Sequence, residues 1–537
     1  MSPAFDAIVV GAGANGLVTA GELAGGGLRV LVLEQQSSLA GQARVLEFAP
    51  GYRAAPLALD AGWLPPAVAR SLGPAAPERV LSETPLTVAT APGRWLALAR
   101  EPARAAASIA AYSQADASRW PGFIAQLHKL ASFLGEIYQR PAPDVDSRSV
   151  RDLWPVLGLA RKLRGLGRND MMAFLRVMPM SVQDLAEDEF ETESLRAAVA
   201  SSGVLDQRQG PRAGGTAFVL LHHLVGAPAG ALRGRGAWRD GPGAFAAAAE
   251  TAARQRGVML RTNARVERIL VEDYAVQGVQ LSDGEEIRAP RVVSTADPAQ
   301  TLLGMVDPMW LDPELLHSLQ QVRYRGCTSF VLYALDGLPE IPGLADPAPA
   351  LRATVSLTAA VRDLERAADA AKYGLVSDEP HIELCVPSLL WPDLAPAGKH
   401  VLVARVHYTP WRLRGGATWD KERAGALAQI VTRRIERYVP CLPSRVQHMV
   451  PLTPAQLEAD FGLTEGAASH GELALDQILF MRPVAGLSRY ATPIDGLYLG
   501  GAGTHPGPAI AGGSGWLAAR TILDARSPGS SGTRKHR

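Results

Sequence analysis

A chain of 537 residues with 54 basic and 53 acidic side chains carries a formal charge of +1, which argues against a nucleic-acid partner or a large polybasic membrane face. Its length exceeds one ordinary core, so two or three domains with room for a cofactor are expected. Cys327, Cys385 and Cys441 are scattered without C-x-x-C spacing, which excludes a disulfide scaffold, a zinc site and a redox dithiol, and fits a reducing, cytoplasmic compartment.

The first element carries the strongest signal. Phe5 to Val10 is a short apolar run of the kind a parallel strand covered on both faces requires, and Gly11, Gly13 and Gly16 then satisfy G-x-G-x-x-G, with Ala14 and Asn15 between the last two. Gly11 permits a tight turn, Gly13 lets the backbone approach a pyrophosphate, and Gly16 lets the following helix lie close to the sheet. Phosphates would then meet the unpaired N–H groups of that helix start. Leu17, Ala20, Leu23 and Ala24 recur at helical spacing, Gly25 to Gly27 end the helix, and Arg29 to Leu33 form a second strand. Glu34 closes it, where a carboxylate accepts hydrogen bonds from a ribose diol and disfavours a 2′-phosphate. This unit predicts a bound dinucleotide, and by itself leaves FAD and NAD open. No stretch of about 18 apolar residues occurs and no charged leader precedes an apolar core, so neither a membrane span nor a signal peptide is expected.

After Glu34 the chain runs through a polar loop, Gln35 to Arg44, a strand-like Val45 to Phe48 and the turn Pro50-Gly51-Tyr52-Arg53. Glu34, Gly41, Ala43-Arg44 and that turn resemble the FAD-binding opening of the phytoene desaturase-like flavoproteins, relatives of the flavin amine oxidases. One departure is Ala40-Gly41, where the family usually has two glycines. The resemblance implies a discontinuous Rossmann-like α/β FAD-binding domain from residues 1–60, 210–300 and 466–537. Residues 61–209 and 301–465 would form an α+β substrate domain, the first segment mainly helical and the second sheet plus helices. The Ser-, Gly- and base-rich tail, 526–537, is expected to be disordered.

Within 61–209, Arg161, Lys162, Arg164 and Arg168 lie among Leu157, Leu159, Leu163 and Leu166, which reads either as a solvated helix or as a basic amphipathic surface touching a membrane. Met171, Met172, Met178 and Met180 suit core packing or an apolar tunnel. His222 and His223 have no third ligand at metal spacing, so they read as packing or hydrogen-bonding residues and no metal is expected. The helix from Ala244 to Arg256, the strands that follow and the turn Asp283-Gly284 resemble the family's second FAD segment, which places Val266 against the adenine. From 301 to 465, strands are expected at Ser329 to Leu335, His381 to Val386 and Val401 to Tyr408, and helices near Thr358 to Ala371 and Lys421 to Tyr438. In the family such strands form a sheet over the flavin, so Tyr333, His407 and Tyr408 become substrate candidates beside the plainer reading of buried sheet residues.

The closing stretch, Arg482-Pro483, Tyr490, and Leu497-Tyr498-Leu499-Gly500-Gly501-Ala502-Gly503-Thr504-His505-Pro506-Gly507, is close to the family's C-terminal signature. Gly512, Gly513 and Gly515 then open a helix whose start would face the reduced flavin's negative edge. Relatives often show Arg-Asn where this chain has Trp516-Leu517, and glycines where it has Pro508-Ala509. Two glycine-bearing ends more than 400 residues apart are both explained by an extended FAD, held non-covalently, and only one of them by NAD. The resemblance thus implies FAD contacts from Gly11, Gly13, Ala14, Asn15, Gly16, Glu34 and Gln35, from Gly41, Gln42, Ala43 and Arg44, and from Val266, Gly501, Ile510, Gly512 and Gly513. His505 is the titratable group nearest the expected ring edge and the one catalytic candidate.

The activity implied is hydride transfer from a mostly apolar small molecule, polyene or isoprenoid, to flavin N5, with oxygen or quinone as electron acceptor. Alternatives on the same fold are an amine or alcohol oxidase, a saturase, a flavin-dependent isomerase, or a flavin-free prenyl-binding escort. Within the family the chain resembles the pyridine nucleotide-disulfide oxidoreductase domain-containing branch, whose chemistry the cysteine inventory does not support.

Overall fold

The computed structural model describes residues 4–142 and 150–525. The expected disordered tail, 526–537, lies outside the described residues. Two sheets organise the molecule. The first is parallel: Ala7–Val10 lies at its centre between Val30–Leu33 and Val292–Ser294, flanked by Met259–Arg261 and Leu497–Leu499. Its two leading strands, Ala-Ile-Val-Val and Val-Leu-Val-Leu, are buried throughout, as parallel strands covered on both faces must be.

The chain's two ends meet on this sheet. Helix Ala14–Gly25 packs against Gly513–Ala525, and the Gly515 N–H donates to Asn15 Oδ1 at 3.2 Å. A Cβ at Gly515 would stand 2.1 Å from the Asn15 carbonyl oxygen, so the close crossing requires glycine there. Helix Ala244–Gln255 covers the other flank of the first helix, and a three-stranded antiparallel sheet, Val266–Glu272, Ala275–Leu281 and Glu286–Arg288, follows it.

The second sheet has seven strands, mostly antiparallel, with Thr328–Leu335, His400–His407 and Ile382–Cys385 at its centre. Helices Val361–Lys372 and Lys421–Glu436 accompany it, and the strands begin and end within a residue or two of their sequence-read limits. The hairpin Leu86–Ala91 and Arg94–Leu98 completes the sheet from a segment read as mainly helical. Its signal was the Pro92-Gly93 turn between two runs with β-branched and aromatic residues, with Gly93 at φ 74°.

Elsewhere in that segment helices prevail, the longest being Gln114–Tyr138, which buries Trp120, Phe123, Leu127 and Leu134 along one face. Leu159, Leu163 and Leu166 are half-buried against the same core, while Arg161, Lys162 and Arg164 stay exposed. Met172 and Leu175 remain exposed, while Met178 and Met180 pack on the core.

Candidate functional site

One cavity of about 1260 Å³ runs from the first strand–turn–helix to the C-terminal glycine turn. At its first end stand Gly11, Gly13, Ala14, Asn15, Glu34 and Gln35; Gly41, Gln42, Ala43, Arg44 and Val266 line it as well, and Ile510 lines its far end beside Gly507 and Pro508. Gly16, Gly501, Gly512 and Gly513 do not border the cavity. They serve packing instead: a Cβ at Gly16 would sit 2.0 Å from the Gly11 carbonyl oxygen, at Gly501 2.4 Å from that of Thr295, and at Gly512 2.6 Å from Val18 Cγ2.

The first end suits an anion flanked by a diol. Gly13 caps the first helix without a side-chain hydrogen bond and no acid occupies the first turn, so its N–H groups face the cavity without a competing carboxylate. Glu34 accepts from the Ala12 N–H at 2.8 Å on one oxygen and from the Gln36 N–H at 2.9 Å on the other. A carboxylate offers about four acceptor positions, so two remain for a ribose. Arg44 donates to Gln36 Oε1 (2.9 Å) and the Asp460 carbonyl (2.6 Å) and stacks 4.9 Å over Phe461, which leaves its buried Nε–H without a partner at the cavity edge. Cradle, carboxylate and orphan donor together fit an extended FAD.

The opposite end is where sequence reasoning and structure part. Side chains alternate across a strand, and Tyr333 falls on the helix-covered face, its hydroxyl 2.9 Å from Thr432 Oγ1. Tyr408 is buried in the helical core and donates to the Gln209 carbonyl at 3.1 Å. His407 lies beyond the cavity, its ring stacked 4.6 Å from that of His381. His505 is also turned away: its Nε2 meets the Arg140 carbonyl at 3.0 Å and its ring packs edge-on against Tyr138. These four are packing and hydrogen-bonding residues, and none of them lines the cavity.

The residues that do face it at this end are Glu383, Cys385, Val403 and Arg405, brought to one face by the register Glu383↔Arg405 and Cys385↔Val403. Arg233 and Asp206 join them from loops. Arg233 forks onto Glu383 with both nitrogens (2.5 and 2.6 Å), and Arg405 reaches both oxygens of Asp206 (3.1 and 2.8 Å). The buried Glu383 carboxyl is held well below its ordinary pKa: burial opposes ionisation, but Arg233 and the two flanking histidines outweigh it. Nε2 of His381 and of His407 each stand 3.4 Å from a Glu383 oxygen. That trio has the composition of a metal site, yet the Arg233 guanidinium sits on both carboxylate oxygens, and its positive charge disfavours a cation beside it. The signal available in sequence was a lone acid inside the apolar run His-Ile-Glu-Leu-Cys-Val and two arginines in Arg-Gly-Arg-Gly.

His222, read as a packing residue, is one: its Nδ1 meets the Tyr138 hydroxyl at 2.7 Å and its Nε2 the Pro508 carbonyl at 2.9 Å. His223 instead borders the cavity. Burial pushes the imidazoles of His222, His381 and His505 down to about 3, 4 and 4. All three are neutral in the fold, whereas an unfolded imidazole takes up a proton near pH 6.5. Stability is therefore present above pH 6.5 and lost as the pH falls toward 4, with His505 alone accounting for about 3 kcal/mol at full titration. Urea midpoints measured from pH 7 to 4.5 should fall steadily, and less steeply in His505→Asn; equal slopes would refute the assignment.

The profile of the NAD(P)-binding Rossmann-like domain matches residues 9–62, and that of flavin containing amine oxidoreductases matches residues 184–523. Pyridine nucleotide-disulfide oxidoreductase domain-containing protein 2 of Rattus norvegicus is 31% identical, with 97% of this chain and 94% of that protein covered. A neurosporene-forming phytoene desaturase of Rhodobacter capsulatus is 29% identical over 51% of each chain. A redesigned putrescine oxidase shares the fold at 15% identity, with a TM-score of 0.59 over 97% of this chain and 99% of that one.

Proposed function

The chain belongs to the flavin containing amine oxidoreductase family and is an FAD-dependent oxidoreductase, and from that premise we propose that it dehydrogenates a mostly apolar small molecule of isoprenoid or polyene type. The observation that carries this reading is the cavity's lining, to which Trp238, Phe245, Leu390 and Trp391 add apolar surface. The bound flavin supplies the hydride acceptor. The protein's own residues would bind, orient and exclude water: Glu34 would hold the diol, the start of the first helix would meet the phosphates, and Arg44 would close the edge.

An amine substrate is the second reading, and the charge pattern weighs against it. An ammonium needs a free carboxylate or an aromatic cage; Glu383 and Asp206 are each committed to an arginine, and Trp238 and Phe245 stack on one another, centroids 5.9 Å apart, rather than facing across a gap. No helix among the described residues is long and apolar enough to cross a membrane. For delivery of an apolar substrate from a lipid surface, Met172 and Leu175, exposed near Arg168, are the contact residues this reading uses. Oxygen or a quinone would reoxidise the flavin.

The test is anaerobic mixing of flavin-loaded protein with polyenes, alcohols and amines while the visible flavin band is followed. Bleaching by an isoprenoid or polyene is the expected result. Bleaching by amines alone would overturn the proposal.

A further inference from the structure

One wall of the cavity gathers charged side chains that lie outside the glycine turn, Glu34 and Arg44. Arg235 ties that wall to the C-terminal turn, donating to the His222 carbonyl at 2.7 Å and to the Ala509 carbonyl at 3.2 Å. His223, Arg233, Arg405, Glu383 and Asp206 line the same cavity as Pro508 and Ile510. Leu205 and Leu232, chain neighbours of Asp206 and Arg233, and Val403, on the same strand face as Arg405, line the same space.

Two features of the wall point to a ligand. First, hydrogen-bonding capacity is left over. The buried Nε–H of Arg405 has no partner, and neither has the buried Nε2 of His223. Buried polar atoms are nearly always satisfied, so unused ones bordering a cavity call for something that enters it. Second, the charges cancel pairwise. Arg233 answers Glu383, Arg405 answers Asp206, Arg235 lies beside Asp60, and His223 is neutral, because burial, His222 and the guanidiniums of Arg235, Arg233 and Arg405 all disfavour its protonation.

A wall that offers N–H donors and an imidazole but no net charge discriminates among ligand types. A carboxylate or phosphate would meet the anions Glu383, Asp206 and Asp60, each already beside a guanidinium, with no cation left over to offset it. An ammonium would meet three guanidiniums. A neutral oxygen can accept from an arginine N–H or donate to the imidazole with no charge left over.

We propose that Arg405, Arg233 and His223 form a specificity site for a single neutral oxygen function, a carbonyl or hydroxyl, on an otherwise apolar substrate. This rests on the flavin-oxidoreductase reading above and narrows its substrate class. Arg405 and Arg233 supply donors held in place by Asp206 and Glu383, and the histidine pair behind Glu383 fixes the second guanidinium in turn.

The experiment titrates the flavin-loaded protein with five probes of one terpenoid skeleton, geranylacetone, geraniol, geranic acid, geranylamine and the hydrocarbon myrcene, and reads binding from the perturbed visible flavin spectrum. The ketone and the alcohol should bind at least about tenfold more tightly than the acid, the amine and the hydrocarbon, a difference of about one decade in Kd. Arg405→Met should erase that preference while flavin content and myrcene affinity stay unchanged. Because that variant strands Asp206, the double variant Arg405→Met/Asp206→Asn removes both charges and should give the same loss. Equal affinity for all five, no binding, or preference for the acid or the amine would overturn the proposal while leaving the flavin reading intact. A purified protein without flavin would overturn the reading and the proposal together.

Discussion

Gly13→Ala is expected to strip the protein of FAD while leaving it folded. Gly13 has φ −74° and ψ −179°, a conformation any residue adopts, and an added Cβ would meet only the Gly41 Cα at an ordinary 3.8 Å. The fold therefore accepts the methyl group. The cavity does not, because Gly13 borders it at the start of the first helix, where phosphate oxygens must approach the backbone. Flavin affinity should fall about a hundredfold, or about 2.7 kcal/mol. Absorbance of flavin per mole of protein and the far-ultraviolet circular dichroism spectrum measure the two halves separately. Gly16→Ala is the contrasting case: its Cβ would lie 2.0 Å from the Gly11 carbonyl oxygen, so turn and helix cannot both keep their places and the fold itself should suffer. Gly13→Ala protein that keeps a full complement of flavin would refute the placement of the pyrophosphate.

Arg482→Met is expected to cost roughly 3–5 kcal/mol of stability, among the largest effects for any single side chain. Arg482 is 1% exposed, and burial pushes its guanidinium down to about 10, which leaves it charged at neutral pH. It donates to the carbonyls of Ser469, Gly471, Glu472, Gln477 and Ala502, at 2.6 to 3.2 Å. Removing it strands four carbonyls at once, the Glu472 carbonyl keeping Gln477 Nε2, and each unsatisfied group costs about 1–3 kcal/mol before the loop relaxes toward water. Ser469 and Ala502 both border the cavity, so the variant should release flavin more readily as well. Arg482→Lys should recover only part of the loss, since an ammonium offers three donors from one point where the planar guanidinium offers five. A urea midpoint for Arg482→Met within a few tenths of a kcal/mol of the parent protein would dismiss this role.

Glu34 and Arg482 are both legible as residue types in recognisable stretches, but to different depths. The partner of Glu34 is written in the sequence around it, because a strand end after G-x-G-x-x-G fixes where its carboxylate goes. The partners of Arg482 are not: they are backbone carbonyls from 469–477 and 502, and no side-chain pattern announces a carbonyl. The substrate candidates that miss the cavity have a comparable cause. Tyr333 is an aromatic on the right strand, yet side chains alternate, and which of two faces meets the cavity depends on what packs on the other. Helix Lys421–Glu436 covers the Tyr333 side, where Thr432 meets its hydroxyl. The cavity is left to Glu383 and Arg405, cross-strand partners on neighbouring antiparallel strands.

The amino-acid sequence by itself determined the local devices: glycines where backbone must approach backbone, apolar runs that become buried strands, and an acid at the end of the second strand. These are set by sterics and hydrogen bonding among neighbours in the chain, and such constraints are written within a few residues. Only the tertiary structure decided which charges share one wall of the cavity, because Arg233 finds Glu383 and Arg405 finds Asp206 across separations of 150 and 199 residues. Pairing over such distances follows from strand register and the burial of both partners, and neither is a property of any one stretch of sequence.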